Sequence, residues 1–239
     1  MADALEDRII TALDAPSWPA AEEMLQRLPA ANRRVKVGKQ LFTREGPHTV
    51  AALGEAGRDV FLDLKFHDIP NTVAGAVSAA ADVGAWMVNV HASGGPRMME
   101  AAREAVAERQ QRPWLIGVTV LTSMDAEELH TVGVADAPEQ QVLRLAHLAR
   151  EAGLDGVVAS PQEVPLLRSA LGPDFLLVTP GVRPAGAGAD DQRRAATPGQ
   201  AVADGADYLV VGRPLTRADD PDAVWTTILD DMQAGAAGA

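Results

Sequence analysis

Residues 59–72 read Asp-Val-Phe-Leu-Asp-Leu-Lys-Phe-His-Asp-Ile-Pro-Asn-Thr, an apolar run that carries ionisable side chains where a buried strand would carry none. Alternate side chains of a strand share a face. Asp63 and Lys65 therefore point one way with Phe61, while Leu62, Leu64 and Phe66 point the other. Asp68 follows just past the strand, and Pro70 predicts a helix start at Asn71 or Thr72. A lone Asp–Lys pair at a strand end is ordinarily solvated and incidental. Here a carboxylate, an ammonium and a second carboxylate gather at one terminus, and such charges are costly to withdraw from water unless they satisfy one another. The array reads as a site.

Composition sharpens that reading. Of 21 basic residues, 18 are arginine and three are lysine, Lys36, Lys39 and Lys65. Lysine can give up its proton whereas arginine stays protonated, so at least one of the three is expected to be a proton donor. The absence of cysteine removes disulfides, thiolate nucleophiles and cysteine-held metals. The five histidines, His48, His67, His91, His130 and His147, show no ligand spacing, so no protein-bound transition metal is expected. A net charge of −12 argues against nucleic acid and anionic membrane surfaces as partners. The first residues lack a basic segment followed by an apolar one, and no stretch of 18 apolar residues runs without a charge; a soluble, cytoplasmic protein is expected.

The elements that must position these residues show a rhythm. Four times a helical, alanine-rich segment ends at a glycine and a hydrophobic run begins shortly after: Gly57 before Val60, Gly84 before Met87, Gly153 before Val157 and Gly205 before Tyr208. Eight strands are predicted, Ile9–Asp14, Arg34–Lys39, Val60–Lys65, Trp86–His91, Trp114–Leu121, Gly156–Ser160, Leu176–Pro180 and Tyr208–Gly212. Helix starts fall between them at Ser17, at Ser160-Pro161-Gln162-Glu163, at Thr197 and at Asp220. The helix from about Pro138 to Ala152 should bury Val142, Leu145, Ala146 and Ala149. Eight βα units in 239 residues, with no G-x-G-x-x-G after the first strand, predict an α/β fold, a (β/α)8 TIM barrel in one domain over residues 1–239. A short flexible tail is expected at the C-terminus.

Such a barrel carries its site at the C-terminal strand ends. Polar residues recur there: Asp14, Lys36, Asp63, Lys65, His91, Thr122, Arg183 and Arg213. Residues 122–138 are expected to form a long connection, and about 180–194 a mobile lid. Loops after the seventh and eighth strands of barrels often hold a phosphate; Gly212 would admit the backbone and Arg213 a bidentate contact. A phosphorylated substrate follows.

The sequence resembles the orotidine 5′-phosphate decarboxylase family over nearly its whole length. The resemblance is carried by Ala12-Leu13-Asp14, Val35-Lys36-Val37-Gly38-Lys39, the block Asp63 to Thr72 with its pattern D-x-K-x-x-D-I-P-x-T, Val90-His91-Ala92-Ser93-Gly94-Gly95, Val118 to Ser123, Pro180-Gly181-Val182-Arg183-Pro184 and Gly212-Arg213-Pro214. It implies a cofactor-free decarboxylation of orotidine 5′-phosphate to UMP, the last step of de novo pyrimidine synthesis, without metal. By the resemblance, Lys65 protonates carbon 6, Asp63 lies beside the substrate carboxylate, and Asp14 and Lys36 hold the ribose hydroxyls. Thr122 contacts the pyrimidine, and Arg183, Gln192, Gly212 and Arg213 close on the phosphate. Asp68 and Thr72 reach the neighbouring site of a homodimer.

Three other readings stand beside this one. Metal-dependent barrels acting on sugar phosphates, decarboxylases or aldolases, resemble this chain in D-x-K-x-x-D but use a second-strand glutamate for magnesium; Lys36 stands there instead and would repel the cation. A Schiff-base aldolase needs a neutral lysine, which adjacent carboxylates oppose. A non-catalytic nucleotide-binding barrel would bind UMP without turnover.

Overall fold

The computed structural model describes residues 4–184 and 196–238. Among them eight strands close into an all-parallel barrel in sequence order, each hydrogen-bonded to the next and the last to the first. They are β1 Ile9–Leu13, β2 Arg34–Gly38, β3 Asp59–Phe66, β4 Met87–His91, β5 Trp114–Val118, β6 Gly156–Val158, β7 Leu176–Pro180 and β8 Tyr208–Val211. The predicted (β/α)8 order is thus the observed one. Most strands are shorter at their C-terminal ends than expected, because the chain turns into its loop as soon as it leaves the barrel wall.

The glycine rhythm has a backbone cause. Gly57, Gly84, Gly153 and Gly205 all adopt positive φ, between 77° and 101°. In each case the N–H of the next residue reaches back five positions to a helix carbonyl, as in Arg58 to Leu53 at 3.0 Å and Leu154 to Ala149 at 3.0 Å. This is the Schellman closure, which a left-handed glycine makes without a Cβ clash. It turns the chain sharply from helix into the next strand.

Alternation along the strands makes two cores. Ile9, Leu13, Val35, Val37, Val60, Leu62, Val88 and Val90 face outward to the helices and are buried with them. The helix Pro138–Glu151 buries Val142, Leu145, Ala146 and Ala149, the four residues its periodicity selects. Inward, Ile10, Ala12, Phe61, Met87, Ile116, Val178, Tyr208 and Val210 fill the barrel. The barrel floor is closed by Arg34, 7% exposed, whose guanidinium carbon lies 4.5 Å from the Trp86 ring centre and 5.3 Å from that of Tyr208. An arginine there combines cation–π contact with bonds to the Asp7 carbonyl and, at 3.4 Å, to Asp59.

Two expectations change. The helix after β3 starts at Pro70 itself, whose fixed φ suits the first turn. The connection 122–138 contains a helix, Ala126–Thr131, started by a capping box between Asp125 and Glu128. The helix expected to start at Asp220 is capped by that residue and runs from Pro221 to Ala237, which leaves only Gly238 beyond it among the described residues. Among the described residues no helix is long and apolar enough to cross a membrane.

Candidate active site

The inward face of β2 and β3 places charges where apolar side chains would otherwise continue the barrel filling. Lys36 lies midway along β2 and Asp63 in the second half of β3, while Asp14 follows β1. Nζ of Lys36 lies 3.2 Å from Asp14 Oδ1 and 3.3 Å from Asp63 Oδ2. Nζ of Lys65 lies 2.5 Å from Asp63 Oδ1. The result is a four-membered chain of alternating sign, Asp14, Lys36, Asp63, Lys65. Gly38 leaves it room: a Cβ there would stand 3.3 Å from Lys36 Nζ.

Electrostatics follow from this geometry. Burial alone would raise the Asp63 carboxyl, but Lys36, then Lys65, together with hydrogen bonds from Lys65 and Asn89, outweigh it and bring it down to about 2. Burial likewise works against the Lys36 ammonium; Asp63 and Asp14 overcome it and raise its pKa. Both charges are mutually sustained.

The strand carrying Lys65 is not regular. Pairing of β3 with β4 runs Phe61↔Met87 and Leu62↔Val88, then resumes at Phe66↔Val90 with a register shift. Lys65 lies in this bulge at φ 53°, the sole non-glycine residue with positive φ among those described. Such a backbone costs roughly 1–2 kcal/mol for a residue with a Cβ. The alternation rule is correct for Phe61 and Asp63, but Lys65 reaches Asp63 from a bulged backbone.

Asn89, on β4, was missed by the sequence reading. Its Nδ2 donates to Asp63 Oδ1 at 2.7 Å, and its Oδ1 accepts from the Lys65 backbone N–H at 2.8 Å. A signal was present, since Asn89 interrupts the apolar run Met87-Val88-Asn89-Val90 as Asp63 interrupts its own.

The array forms one wall of a cavity of about 830 Å³ at the C-terminal mouth. Thr122, Arg183, Gly212 and Arg213 line it, as do Asp14, Lys36, Asp63 and Lys65. Among the described residues a Cβ at Gly212 would meet only Ala12, at 3.6 Å, so that surface is open to them. Gln40, Thr216 and Arg217 also line the cavity, from positions the sequence reading passed over.

Other expected residues lie elsewhere. Gln192 and most of the expected 180–194 loop fall outside the described residues. Asp68 and Thr72 are exposed and stand apart from the charge chain; the Asp68 carboxylate accepts from the Ile69 N–H at 2.6 Å. Within this chain the second carboxylate of the array is therefore Asp14, not Asp68. His91 does not line the cavity and packs against His67, with ring centres 5.5 Å apart. Lys39 is not a strand residue but opens the helix Lys39–Glu45.

A closed parallel barrel with an Asp–Lys charge chain on one side of its mouth and Arg183 and Arg213 also lining it defines a TIM-barrel protein built for an anionic small molecule. Comparison with known proteins narrows the class. The family model described as Orotidine 5'-phosphate decarboxylase / HUMPS family matches residues 7–228. The orotidine 5'-phosphate decarboxylase of Alcanivorax borkumensis is 60% identical over 224 residues, which are 94% of this chain and 97% of that protein. That of Chromohalobacter salexigens is 58% identical over 228 residues, 95% of this chain and 97% of its own. Among solved structures, orotidine 5'-phosphate decarboxylase from Lactobacillus acidophilus superposes with a TM-score of 0.84 at 38% identity, covering 95% of this chain and 99% of that one. This chain belongs to the Orotidine 5'-phosphate decarboxylase / HUMPS family.

Proposed function

We propose that this chain removes carbon dioxide from orotidine 5′-phosphate to leave UMP, the closing step of pyrimidine nucleotide synthesis, as the names of its close relatives indicate. One observation carries the reading: a lysine ammonium is held 2.5 Å from a buried carboxylate in a cavity that Arg183 and Arg213 also line.

The reaction breaks the bond between carbon 6 and the carboxylate carbon. The electron pair stays on carbon 6, in the ring plane, where the pyrimidine π-system cannot take it up. Lys65 Nζ delivers a proton to that carbon, carbon dioxide leaves, and solvent restores the lysine. An ammonium about 4 Å from the developing charge contributes on the order of 4 kcal/mol at an effective dielectric of about 20. Preorganisation makes that contribution available, because the dipoles and charges are in place before the bond breaks. Asp63 beside the reactant carboxylate adds repulsion that departure of carbon dioxide relieves.

Asp14 and Lys36 hold the ribose hydroxyls, and Thr122 contacts the ring. Arg183 and Arg213, with the open surface at Gly212, take the phosphate, whose binding energy is spent on the reaction; Gln192, expected to join them, lies outside the described residues. The whole chain acts as one barrel domain. Asp68 and Thr72 complete the site of a second copy; their exposure, beside an Ile69 that is 67% exposed, supports a covered interface there. A divalent cation between Asp14 and Asp63 would face the Lys36 ammonium, which favours chemistry without one.

The test is carbon dioxide release and UMP formation from orotidine 5′-phosphate by purified protein with excess EDTA. Rapid turnover is expected. Silence there, with activity on a sugar phosphate once magnesium is added, would move the chain to the metal-dependent branch of its family; UMP binding without any turnover would leave a binding protein.

A further inference from the structure

Asn89 is 1% exposed, and both ends of its amide are engaged. The partners fix its orientation, since the Asp63 carboxylate only accepts and the Lys65 N–H only donates. Its two partners are the carboxylate at the centre of the charge chain and the single non-glycine residue held in left-handed backbone among those described. The Lys65 N–H lies where β3 and β4 lose register, and it is bonded to this side chain.

From these contacts we infer that Asn89 is a positioning residue for the reaction: one side chain pins the left-handed backbone of Lys65 and turns Asp63 so that its two oxygens meet Lys65 and Lys36 separately. The inference rests on the decarboxylase reading above. An apolar residue at 89 leaves a backbone N–H without its partner and removes a donor from Asp63 Oδ1. The Lys65 backbone is then released from φ 53°, and its ammonium is no longer aimed at one carbon atom.

Charged and titratable groups surround this clasp on several elements. Asp63, Lys65 and His67 come from β3 and the turn after it, Lys36 and Lys39 from β2 and the helix that follows, Asp14 from the end of β1, and His91 from β4 itself. On β5 the facing residues Ile116, Gly117 and Val118 carry no charge.

Asn89→Asp is the informative variant. Its carboxylate still accepts from the Lys65 N–H, but when ionised it sets a second negative charge against Asp63. When protonated it donates to Asp63 as the native amide does, and two carboxyls in contact share a proton with one pKa raised. The expected kcat for carbon dioxide release is about 100-fold below native at pH 8, with the variant-to-native ratio recovering about tenfold towards pH 6. Asn89→Leu should be about 100-fold slower across that range while its Kd for UMP stays within about threefold. Thermal unfolding is followed for each. Native kcat in Asn89→Asp, or a loss that tracks melting temperature with no recovery at low pH, overturns the inference. Where Asn89→Leu does not fold, the pH profile of Asn89→Asp decides alone. Failure of the native chain to decarboxylate orotidine 5′-phosphate sinks the underlying reading instead, and the same assay shows it before any variant is made.

Discussion

Lys65 keeps its ammonium 2.5 Å from the carboxylate of Asp63 although its own backbone stands in the left-handed region, at φ 53°. On a regular strand, residues two apart are separated by about 6.6 Å along the axis and stand side by side. The bulge instead lets the lysine leave the strand while its charge remains on Asp63. The donor role proposed for Lys65 asks for a group that faces the cavity and is still held in place; Lys65 lines the cavity and Asp63 holds its ammonium.

Lys65→Arg keeps the positive charge but withholds the proton, because a guanidinium does not dissociate in this range. The variant should lose at least about 10³-fold in kcat, the scale of a general-acid contribution, while binding UMP within about tenfold of native. Single-turnover carbon dioxide release beside calorimetric UMP binding checks it. Substantial residual turnover would remove Lys65 from the role of donor.

The other two lysines should part company. Lys36→Arg must fit a planar fork where an ammonium now lies 3.2 Å from Asp14 and 3.3 Å from Asp63, so kcat/KM should fall about 100-fold. Lys39 is exposed at the start of a helix, and Lys39→Arg should stay within about twofold of native. The sequence reading places Lys39 at the end of the second strand. Its real position is past the strand end. A steady-state comparison of the two variants is sufficient, and equal losses would contradict the assignment.

Stability should fall on mild acidification through His91. Burial first, then the positive charges of His67, Lys39 and Lys65, depress its pKa from 6.5 to about 4, with Asp63 opposing. The folded imidazole thus stays neutral where the unfolded one takes a proton. The contribution is complete above about pH 6.5 and is lost as pH falls towards 4. Asp63, depressed from 3.8 to about 2, makes its own loss below that window. His91→Asn should flatten the fall in melting temperature between pH 7 and pH 4.5 by several degrees. Parallel slopes for native and variant would show that other groups set the acid limb.

If Asp68 serves a neighbouring copy, two dead variants should rescue one another. Lys65→Ala and Asp68→Ala, each nearly inactive alone, should recover up to about one quarter of native activity on mixing, since half the dimers are then mixed and each holds one intact site. No recovery after subunit exchange, verified by mass, would confine the site to one chain.

The legible part of this protein is what regular backbone makes periodic. Eight strands, the Schellman glycines and the buried face of the helix Pro138–Glu151 all follow from local rules, and the structure repeats them. The Asp63–Lys65 pair was visible because charge in an apolar run is conspicuous. The left-handed Lys65 was not, since a bulge depends on the register of the neighbouring strand, which no local pattern records. Asn89 follows the same logic as Asp63, yet an uncharged amide is a weaker interruption. The helix Ala126–Thr131 hid because it buries only Leu129, too little for a periodic signal.

The packed floor of the barrel has a last consequence, for traffic. Below the cavity lie Ile10, Met87, Ile116 and Val178, all fully buried, and then Arg34 between Trp86 and Tyr208. Among the described residues this packing fills the barrel axis below the cavity. If the proposed reaction runs here, nucleotide and gas share the mouth at the C-terminal end, and gas formed beside Lys65 leaves past the nucleotide. Under the proposed chemistry the order of departure is therefore built into the vessel: the small neutral product goes first, and the nucleotide follows when its phosphate lets go.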